Sequence, residues 1–287
     1  MLTALPFRRH PSPGVQPPQT PRPLIAFPAR TTAGAGRGQP RRVIEASELT
    51  KRYGRTTAVD RLTFTVRPGH VTGFLGPNGS GKSTTLRLIL GLNAPDGGHV
   101  TVGGRVFATR RRGLRQVGAL LDAGAVHGGR SARDHLAALA RSNGLPVRRV
   151  AEVLAEVGLE NVARNRIGGF SLGMKQRLGV AAALLGDPPV LVFDEPFNGL
   201  DVAGIAWIRG LFRRLAAEGR TVFVSSHLMS EMAQSADRLV VIARGALLAD
   251  ESVEEFAARG SGDSAGLENV FMELTADRLD YLAGDAK

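Results

Sequence analysis

Short apolar runs, separated by turns rich in glycine, proline and aspartate, fill the chain from residue 43 onward. Between about residues 43 and 67, β-rich runs alternate with turns, and residues 71–75 (Val-Thr-Gly-Phe-Leu) predict a compact buried strand. A glycine-rich loop follows this strand and opens a predicted helix at residues 83–90. Turn residues in the β-rich segment 99–107 predict a hairpin. These β-rich segments together indicate an accessory sheet.

Helical spacing replaces the β pattern at about residues 131–163. Ser131 is a candidate N-cap, and Val150 and Leu154 recur at the spacing of one helix face. This part of the chain therefore predicts a small helical subdomain, which we place at about residues 115–175.

Buried strands are predicted again at residues 190–193, 221–224 and 239–242, with helices between them. Strands that alternate with helices in this way form a mostly parallel sheet. The sequence thus predicts an α/β fold with a mostly parallel core sheet, an accessory antiparallel β subdomain and a helical subdomain. A short helical tail is predicted at about residues 252–287.

The positive charge of the chain is concentrated ahead of this domain. The formal net charge is +11 over 287 residues, but residues 1–42 contain seven arginines and no acidic residue, so the rest is only mildly basic. The same segment contains nine of the 16 prolines. It cannot bury enough apolar surface to fold, so we predict a disordered Pro/Arg-rich extension at residues 1–42 and one domain at residues 43–287. A native start at Val43 is a further hypothesis.

Two features of the composition limit the function. The chain has no cysteine, which excludes disulfides, thiolate metal sites and thiol nucleophiles. A membrane-spanning helix needs about 20 mostly apolar residues, whereas uninterrupted apolar runs here, such as residues 180–185, are far shorter. The basic N-terminal segment also lacks the apolar stretch of a signal peptide. We therefore expect any membrane span to come from a partner.

Residues 76–84 fill the phosphate-loop pattern, in which glycines let successive backbone N–H groups turn toward phosphates. The loop follows a predicted strand and opens a predicted helix, whose N-terminus adds partial positive charge. Lys82 is expected to reach the β- and γ-phosphates of a nucleoside triphosphate, and the Ser83 hydroxyl is expected to ligate Mg²⁺. The predicted ATP-binding residues of the loop are Gly76, Pro77, Asn78, Gly79, Ser80, Gly81, Lys82, Ser83 and Thr84.

Two carboxylates, Asp194 and Glu195, follow the apolar residues 190–193 directly. In α/β folds the carboxyl ends of the strands are where ligands bind. Asp194 is expected to hold Mg²⁺, directly or through water, while Glu195 polarises the water that attacks the γ-phosphate. An acidic pair after a buried strand also occurs without such a role, and the phosphate loop is what favours the functional interpretation.

The segment Ser-Leu-Gly-Met-Lys-Gln-Arg at residues 171–177 resembles the signature of the nucleotide-binding subunits of ABC transporters. The resemblance extends over about residues 43–275. It implies a head-to-tail dimer, in which Ser171 and the N–H of Gly173 contact the γ-phosphate of ATP held by the other subunit. The segment departs from the commoner Leu-Ser-Gly-Gly-Gln, keeping the serine and one glycine. Taken alone, it would be an ordinary helix cap.

Further residues resemble elements of the same family and occur along the chain in the order that the family has. Tyr53 resembles the aromatic residue that stacks on adenine. Residues 198–201 (Asn-Gly-Leu-Asp) resemble the loop that communicates between the two nucleotide sites. His227 resembles the switch histidine that touches the γ-phosphate, and with Lys82 and Glu195 it completes the predicted catalytic set. A plain strand tyrosine and a histidine without a role are the alternatives.

Asp122 occupies a position where the family usually has a glutamine that links the Mg²⁺ site to the membrane-facing groove. Some branches that resemble antibiotic and lantibiotic exporters also carry an acid there. Because aspartate is shorter than glutamine and charged, we expect Asp122 to reach Mg²⁺ through water. The alternative is an aspartate in a surface loop.

The resemblance implies an ATP-hydrolysing motor with ATP and Mg²⁺ as cofactors, located at the cytoplasmic face of the membrane. Its expected partners are a membrane-spanning permease subunit and a second copy of itself or a related ATPase subunit. Residues 193–201 and 267–275 are most similar to type-2 exporters, including multidrug and antibiotic-resistance members. Export of a substrate through the permease is therefore the expected function.

Two other functions remain as alternatives. A non-transport ABC ATPase acting on ribosomes or nucleic acid fits poorly, because the chain has one cassette and no room for a long coiled coil between Lys82 and Ser171. The basic arm at residues 1–42 also lacks a pattern of stacking aromatic residues, so no nucleic-acid partner is expected. A degenerate regulatory cassette is disfavoured because Lys82, Glu195 and His227 are all present.

Overall fold

A computed structural model of the protein describes residues 43–109, 113–260 and 264–276. The predicted disordered extension at residues 1–42 and the last part of the predicted tail, residues 277–287, lie outside the described residues. Within the three described ranges, no helix combines the length and the apolar character that crossing a bilayer requires.

Strands and helices alternate along most of the described chain. The strands are β1 (Ile44–Tyr53), β2 (Thr56–Val66), β3 (Val71–Leu75), β4 (Gly97–Val102), β5 (Val117–Leu120), β6 (Val190–Asp194), β7 (Thr221–Ser226), β8 (Arg238–Ala243) and β9 (Ala246–Ser252). The α-helices are α1 (Lys82–Ile89), α2 (Ala132–Ser142), α3 (Arg148–Glu156), α4 (Leu172–Leu184), α5 (Val202–Ala217), α6 (Met229–Ala233), α7 (Val253–Ala257) and α8 (Ser264–Ala276).

The strands form two sheets. The core sheet has the order β5-β6-β7-β3-β8-β9, in which every pairing is parallel except that of β9 with β8. The smaller sheet, β2-β1-β4, is antiparallel throughout. The predicted α/β fold, with a mostly parallel core sheet and an accessory antiparallel sheet, is confirmed. The antiparallel edge strand β9 was not predicted.

The core sheet is buried on both faces, which explains why its strands are almost continuously apolar. Successive side chains of a strand point to opposite faces, so in β7 Val222 and Val224 join the helix-packed core while Phe223 joins the core under the accessory sheet. Phe223 stacks there with Phe64 of β2 and Phe74 of β3, at ring-centroid distances between 5.1 and 5.8 Å. This aromatic cluster joins the two sheets.

The helical subdomain begins later than the sequence predicted. Strand β5 lies inside the predicted range 115–175 but pairs with β6 in the core sheet, because Val117 and Leu120 are buried there. The helical run predicted at 131–163 is also divided into α2 and α3. Gly144 has a left-handed φ of 61°, and Pro146, which cannot supply a backbone donor, follows two residues later.

The structure contains the N-cap predicted at Ser131 but not the hairpin predicted at residues 99–107. Ser131 caps α2 by accepting a hydrogen bond from the Asp134 N–H, as its position indicated. The hairpin predicted at 99–107 is wrong, because β4 pairs with β1 and is followed by only a single bridge, between Val102 and Arg105. Residues 104–106 are exposed, so a second strand here would bury little apolar surface.

The two C-terminal helices pack onto the core. Ser252 and Glu255 form a reciprocal capping box at the start of α7. Leu267 and Phe271 of α8 are buried in the same apolar cluster as Met232 of α6. The described part of the predicted tail therefore contributes to the fold of the domain.

Candidate nucleotide-binding site

The predicted phosphate loop connects β3 to α1 and is fixed by close backbone contacts. Gly81 is the N-cap of α1 with a φ of 104°, and a Cβ there would lie 2.3 Å from the Ala58 carbonyl oxygen. A Cβ on Gly76 would lie 2.4 Å from the Ile242 carbonyl oxygen. Both positions therefore require glycine, and the loop is held against β2 and β8.

Lys82 lies at the base of this loop with only 6% of its surface exposed. Its ammonium donates to the carbonyl oxygens of Gly76 (2.6 Å) and Pro77 (3.2 Å), and it lies 3.6 Å from Glu195 Oε1. Burial lowers the pKa of Lys82, and the charges of Glu195 and Asp194 oppose this shift. The loop thus encloses one buried cation whose partners are carbonyl groups and a carboxylate.

Ser80 adds a second polar group to the interior of the loop. Its side chain is 4% exposed, and its Oγ has no hydrogen-bond partner within the described structure. A buried hydroxyl without a partner costs free energy. The Ser80 Oγ is covered by the loop itself, since it would lie 2.4 Å from a Cβ placed on Gly76, and it therefore helps to explain why that position requires glycine.

The predicted pair Asp194 and Glu195 stands at the carboxyl end of β6, beside the end of β7. Ser225 of β7 donates its hydroxyl hydrogen to Asp194 Oδ1 and accepts from the backbone N–H of Glu195 at 3.0 Å. Glu195 has a left-handed φ of 47°, which is uncommon for a residue with a side chain. The fully buried Ser225 thus positions both acids.

His227, Glu195 and Lys82 are brought together. His227 Nδ1 lies 2.8 Å from Glu195 Oε2, which is a hydrogen bond when Nδ1 carries the proton. Glu195 therefore contacts Lys82 through one carboxylate oxygen and His227 through the other. The three residues predicted from separate motifs form one contiguous cluster.

The segment after His227 contains a second half-buried acid. Glu231 of α6 accepts a hydrogen bond from Ser226 Oγ at 2.7 Å. Burial is the main cause that raises the pKa of Glu231; the negative charge of Glu195 adds to this shift, and the bond from Ser226 opposes it. Ser226 also accepts from the Leu228 N–H at 3.0 Å, so this group shapes the turn that carries His227.

The predicted signature segment begins α4. Ser171 is its N-cap and accepts from the Met174 N–H at 3.2 Å, while Ser171 and Leu172 are both exposed. A Cβ on Gly173 would lie 2.8 Å from the Gly199 carbonyl oxygen, so this glycine lets residues 198–201 approach the helix. Between this segment and residues 76–84, both described, no hydrogen bond or ion pair is formed. One copy of the chain does not bring them together.

Tyr53 and Asp122 lie at the periphery. The Tyr53 ring is 49% exposed, its hydroxyl accepts from Asn93 Nδ2 at 2.6 Å, and Lys51 Nζ lies 5.5 Å from the ring centroid. Asp122 is exposed and accepts from the Gly124 N–H at 2.7 Å. Among the described residues, it has no polar contact with Asp194. Its proposed role at Mg²⁺ stays a prediction.

The predicted Mg²⁺ ligands supply only part of a coordination shell. In the described ranges, no group of three or more His, Asp or Glu side chains could hold a metal ion by itself. Ser83, in the first turn of α1, and Asp194, at the end of β6, offer a hydroxyl and a carboxylate, which are oxygen donors of the kind Mg²⁺ prefers. They fit a cation that takes its other ligands from phosphate and water.

Sequence reasoning missed two residues of this site. Besides Ser225, Gln176 of α4 is buried and donates from Nε2 to the Glu195 carbonyl oxygen at 3.1 Å, while its Oε1 has no partner within the described structure. Polar residues at the end of an apolar strand, as in Ser225-Ser226, were the available signal for Ser225. Gln176 lay inside the signature segment, but only the folded chain shows its contact.

The fold and the cluster of Lys82, Asp194, Glu195 and His227 define a phosphate-loop nucleotide-binding domain. The family described as ABC transporter matches residues 59–198. The bacitracin transport ATP-binding protein BcrA of Bacillus licheniformis is 42% identical over 209 residues, covering 72% of this chain and 68% of that protein. The chain therefore belongs to the ABC transporter family, as an ATP-binding domain.

Two further comparisons agree with this assignment. The lantibiotic transport ATP-binding protein SrtF of Streptococcus pyogenes is 33% identical over 212 residues, covering 74% of this chain and 92% of that protein. The solved structure described as an ATP-binding subunit of an ABC transporter superposes with a TM-score of 0.74 at 28% identity, covering 81% of this chain and 99% of that one.

Proposed function

We propose that the chain is the ATP-hydrolysing subunit of an exporter, working with a separate membrane-spanning permease. The observation that carries this proposal is the contact of Glu195 with both Lys82 and His227, at 3.6 and 2.8 Å. A cation that binds phosphate, a carboxylate that can accept a proton from water and a histidine that can reach the same phosphate are the groups that hydrolysis of ATP requires.

In the proposed reaction, the Lys82 ammonium moves from the carbonyl groups of Gly76 and Pro77 to the β- and γ-phosphates. The N–H groups of residues 76–84 and the N-terminus of α1 add further positive potential. Tyr53, which is about half exposed, stacks on the adenine ring. The triphosphate is thus oriented before the chemical step.

Hydrolysis itself is assigned to Glu195 and His227. The Glu195 carboxylate orients a water molecule toward the γ-phosphate and takes its proton. His227 donates its ring N–H to a γ-phosphate oxygen in place of the Glu195 carboxylate and so stabilises the charge that develops there. Mg²⁺, held by Ser83 and Asp194, would neutralise charge on the β- and γ-phosphates. Asp122 is proposed to act on this ion through water.

The half of the site that one chain lacks is proposed to come from a second copy or a related ATPase subunit. Ser171 is exposed and Gly173 half-buried at the start of α4, and among the described residues neither forms a hydrogen bond with its own phosphate loop. A helix N-terminus with a serine suits a γ-phosphate. Binding of two ATP molecules would close such a head-to-tail pair, and hydrolysis would reopen it.

Transport is supported by the relatives, which are described as bacitracin and lantibiotic transport ATP-binding proteins. We propose that this chain also serves export, with antibiotic peptides as a candidate substrate class, and that it lies at the cytoplasmic face of the membrane against its permease.

The Glu195→Gln variant tests the catalytic assignment. We expect it to keep ATP affinity within about twofold and to lose at least about 100-fold in turnover, because glutamine has the same shape but cannot accept the proton. ATP binding and phosphate release would be measured on the same preparations. Turnover unchanged in the variant would contradict the assignment of the base.

The transport assignment needs cells that express the membrane protein encoded beside this gene. We expect wild type with that partner to raise resistance to bacitracin or a lantibiotic, and Glu195→Gln with the partner to give none. Equal resistance in both strains would exclude ATP-driven export of these peptides, while leaving the ATPase result intact.

A further inference from the structure

His227 stands in a short turn between β7 and α6. Only Leu228 separates it from Met229, the first residue of that helix. Its side chain is partly exposed, and its Nδ1 contacts Glu195 Oε2. In the proposed reaction, His227 leaves this carboxylate for the γ-phosphate. During hydrolysis the turn therefore needs a support other than Glu195.

Ser226, the last residue of β7, connects this turn to α6. Its side chain is fully buried. Its Oγ donates to Glu231 Oε2 at 2.7 Å and accepts from the Leu228 N–H at 3.0 Å. The residues on both sides of His227 are thus joined through one hydroxyl group, and the hydrogen of that group goes to Glu231.

Glu231 determines where this hydrogen points. A hydroxyl group has one hydrogen and two acceptor lone pairs. The Leu228 carbonyl oxygen lies 3.5 Å from Ser226 Oγ and would be the competing acceptor if Glu231 were removed. Both the ionised and the protonated carboxyl group have an oxygen that can accept this hydrogen bond, so the contact does not depend on the charge of Glu231.

The helix that carries Glu231 is fixed by the rest of the domain. Met229 and Met232 of α6 are buried in the core. Directly after the helix, Gln234 accepts hydrogen bonds from two arginines of α5, each at 2.6 Å. These contacts hold α6 in place, so the Glu231 carboxyl is a fixed acceptor for Ser226.

Glu231 lies next to the proposed catalytic pair. Burial raises its pKa, the hydrogen bond from Ser226 opposes this shift, and the charges of Glu195 and His227 also act on it. Within the described structure, Glu231 forms no hydrogen bond with either of these two residues. This placement suits a residue that acts on the site through another one.

We propose that Glu231 is a positioning residue for ATP hydrolysis. Through Ser226 it holds the backbone of residues 226–228 in the form that lets His227 reach the γ-phosphate once His227 has left Glu195. The inference rests on the function proposed above for His227. It assigns to Glu231 a part in turnover but none in holding the nucleotide.

The experiment compares variants of the full chain by ATP hydrolysis and by calorimetric titration with ATP and Mg²⁺. Ser226→Ala removes the donor at the cost of one oxygen atom, and Glu231→Ala removes the acceptor. Glu231→Gln keeps an acceptor oxygen. The matched control is Ser235→Ala, since Ser235 is another buried serine close to α6 but its Oγ has no partner within the described structure.

We expect Ser226→Ala and Glu231→Ala each to lower kcat about tenfold, while ATP affinity stays within about twofold of wild type. Glu231→Gln should keep at least about a third of the wild-type kcat, and Ser235→Ala should change it by less than about twofold. The double variant Ser226→Ala with Glu231→Ala should be no slower than the slower single variant, because both changes remove the same hydrogen bond.

Combination with His227→Ala shows whether the hydrogen bond acts through the histidine. Single-turnover measurements detect the residual hydrolysis of this protein. There we expect Ser226→Ala to lower the rate by less than about twofold further. A second tenfold loss would contradict the proposal, because Ser226 and His227 would then act independently.

Three other results would overturn the proposal. If His227→Ala is impaired but Ser226→Ala and Glu231→Ala are not, the positioning role is excluded and the proposed function stands. If Ser235→Ala loses as much turnover as Ser226→Ala, the loss is a general effect of changing a buried serine. If His227→Ala itself keeps full turnover, the function proposed for His227 fails, and the positioning role fails with it.

Discussion

The phosphate loop and the start of α4 carry the two halves of one proposed site, yet they are built differently. In the loop, Lys82 and Ser80 are buried and the glycines are fixed by backbone carbonyl groups. At the start of α4, Ser171 and Leu172 are exposed. The phosphate loop buries its polar groups before any ligand binds, whereas the start of α4 exposes its polar groups to solvent.

Because of this difference, we expect ATP affinity and ATP turnover to depend on different residues. Groups that are buried and preorganised within one chain should set how tightly one copy binds ATP. Groups exposed at the start of α4 should matter only when a second copy supplies them. Changes in the two regions should therefore affect different measurements.

The largest effect is expected from Lys82→Ala. Removal of the buried ammonium should weaken ATP binding by at least about 100-fold, which corresponds to roughly 2.7 kcal/mol, because charge-assisted bonds to two phosphates are lost. Calorimetric titration with ATP and Mg²⁺ measures this loss. Arg141→Ala, an exposed change in α2, is the control. Unaltered affinity in Lys82→Ala would place the triphosphate elsewhere.

A substantial effect limited to turnover is expected from Ser171→Asp. Aspartate is as good an N-cap as serine, so α4 keeps its start, but its charge repels the γ-phosphate of the other copy. We expect single-copy ATP affinity to stay within about twofold and turnover to fall about tenfold or more. The neutral cap Ser171→Asn should lose much less. If both variants lost the same activity, the charge would not face a phosphate.

A smaller effect is expected from Asp122. Asp122→Asn keeps an acceptor for the Gly124 N–H but removes the charge, and Asp122→Ala removes both. If Asp122 acts on Mg²⁺ through water, both variants should need about threefold more Mg²⁺ for half-maximal ATPase activity. If only Asp122→Ala is impaired, the residue serves the loop alone. The measurement is an Mg²⁺ titration of the ATPase rate.

The smallest effect concerns Glu231 and is visible only as a dependence on pH. A carboxyl whose pKa is raised on folding binds its proton more tightly in the folded than in the unfolded state. Its contribution to stability is therefore present below the ordinary value of 4.5 and is lost as the pH rises through the raised pKa. Urea unfolding across pH measures this contribution.

The Glu231→Gln variant keeps an acceptor for Ser226 but does not titrate. Its stability relative to wild type should consequently increase as the pH rises above 4.5. Parallel stability curves for the two proteins across this range would show that Glu231 does not titrate with a raised pKa.

The parts of the site that sequence predicted are those encoded locally. Lys82 stands in a nine-residue motif, and Asp194 and Glu195 follow one apolar run, so each could be found without knowing the fold. That Glu195 touches both Lys82 and His227 depends on β3, β6 and β7 being neighbours. The resemblance assigned all three residues to one catalytic set, and the strand pairing explains their contact.

The residues that were missed act through tertiary contacts. Ser225 positions two acids at the end of a different strand, and Gln176 reaches Glu195 from a helix that begins 23 residues earlier in the chain. Neither contact produces a periodic pattern in the sequence. The wrong hairpin has a related cause: local turn residues do not show that the partner of β4 is β1, more than 40 residues away.

Gln176 connects the start of α4 to the proposed catalytic carboxylate of the same chain. It lies on α4, whose first residues would contact ATP bound to a neighbouring subunit. Its amide donates a hydrogen bond to the backbone carbonyl oxygen of Glu195, the proposed general base of its own subunit. The first residues of α4 would therefore transmit the binding of ATP at one active site to the other active site. Hydrolysis of the two ATP molecules in such an assembly would then be correlated. A change at Gln176 would remove this correlation without altering either phosphate loop.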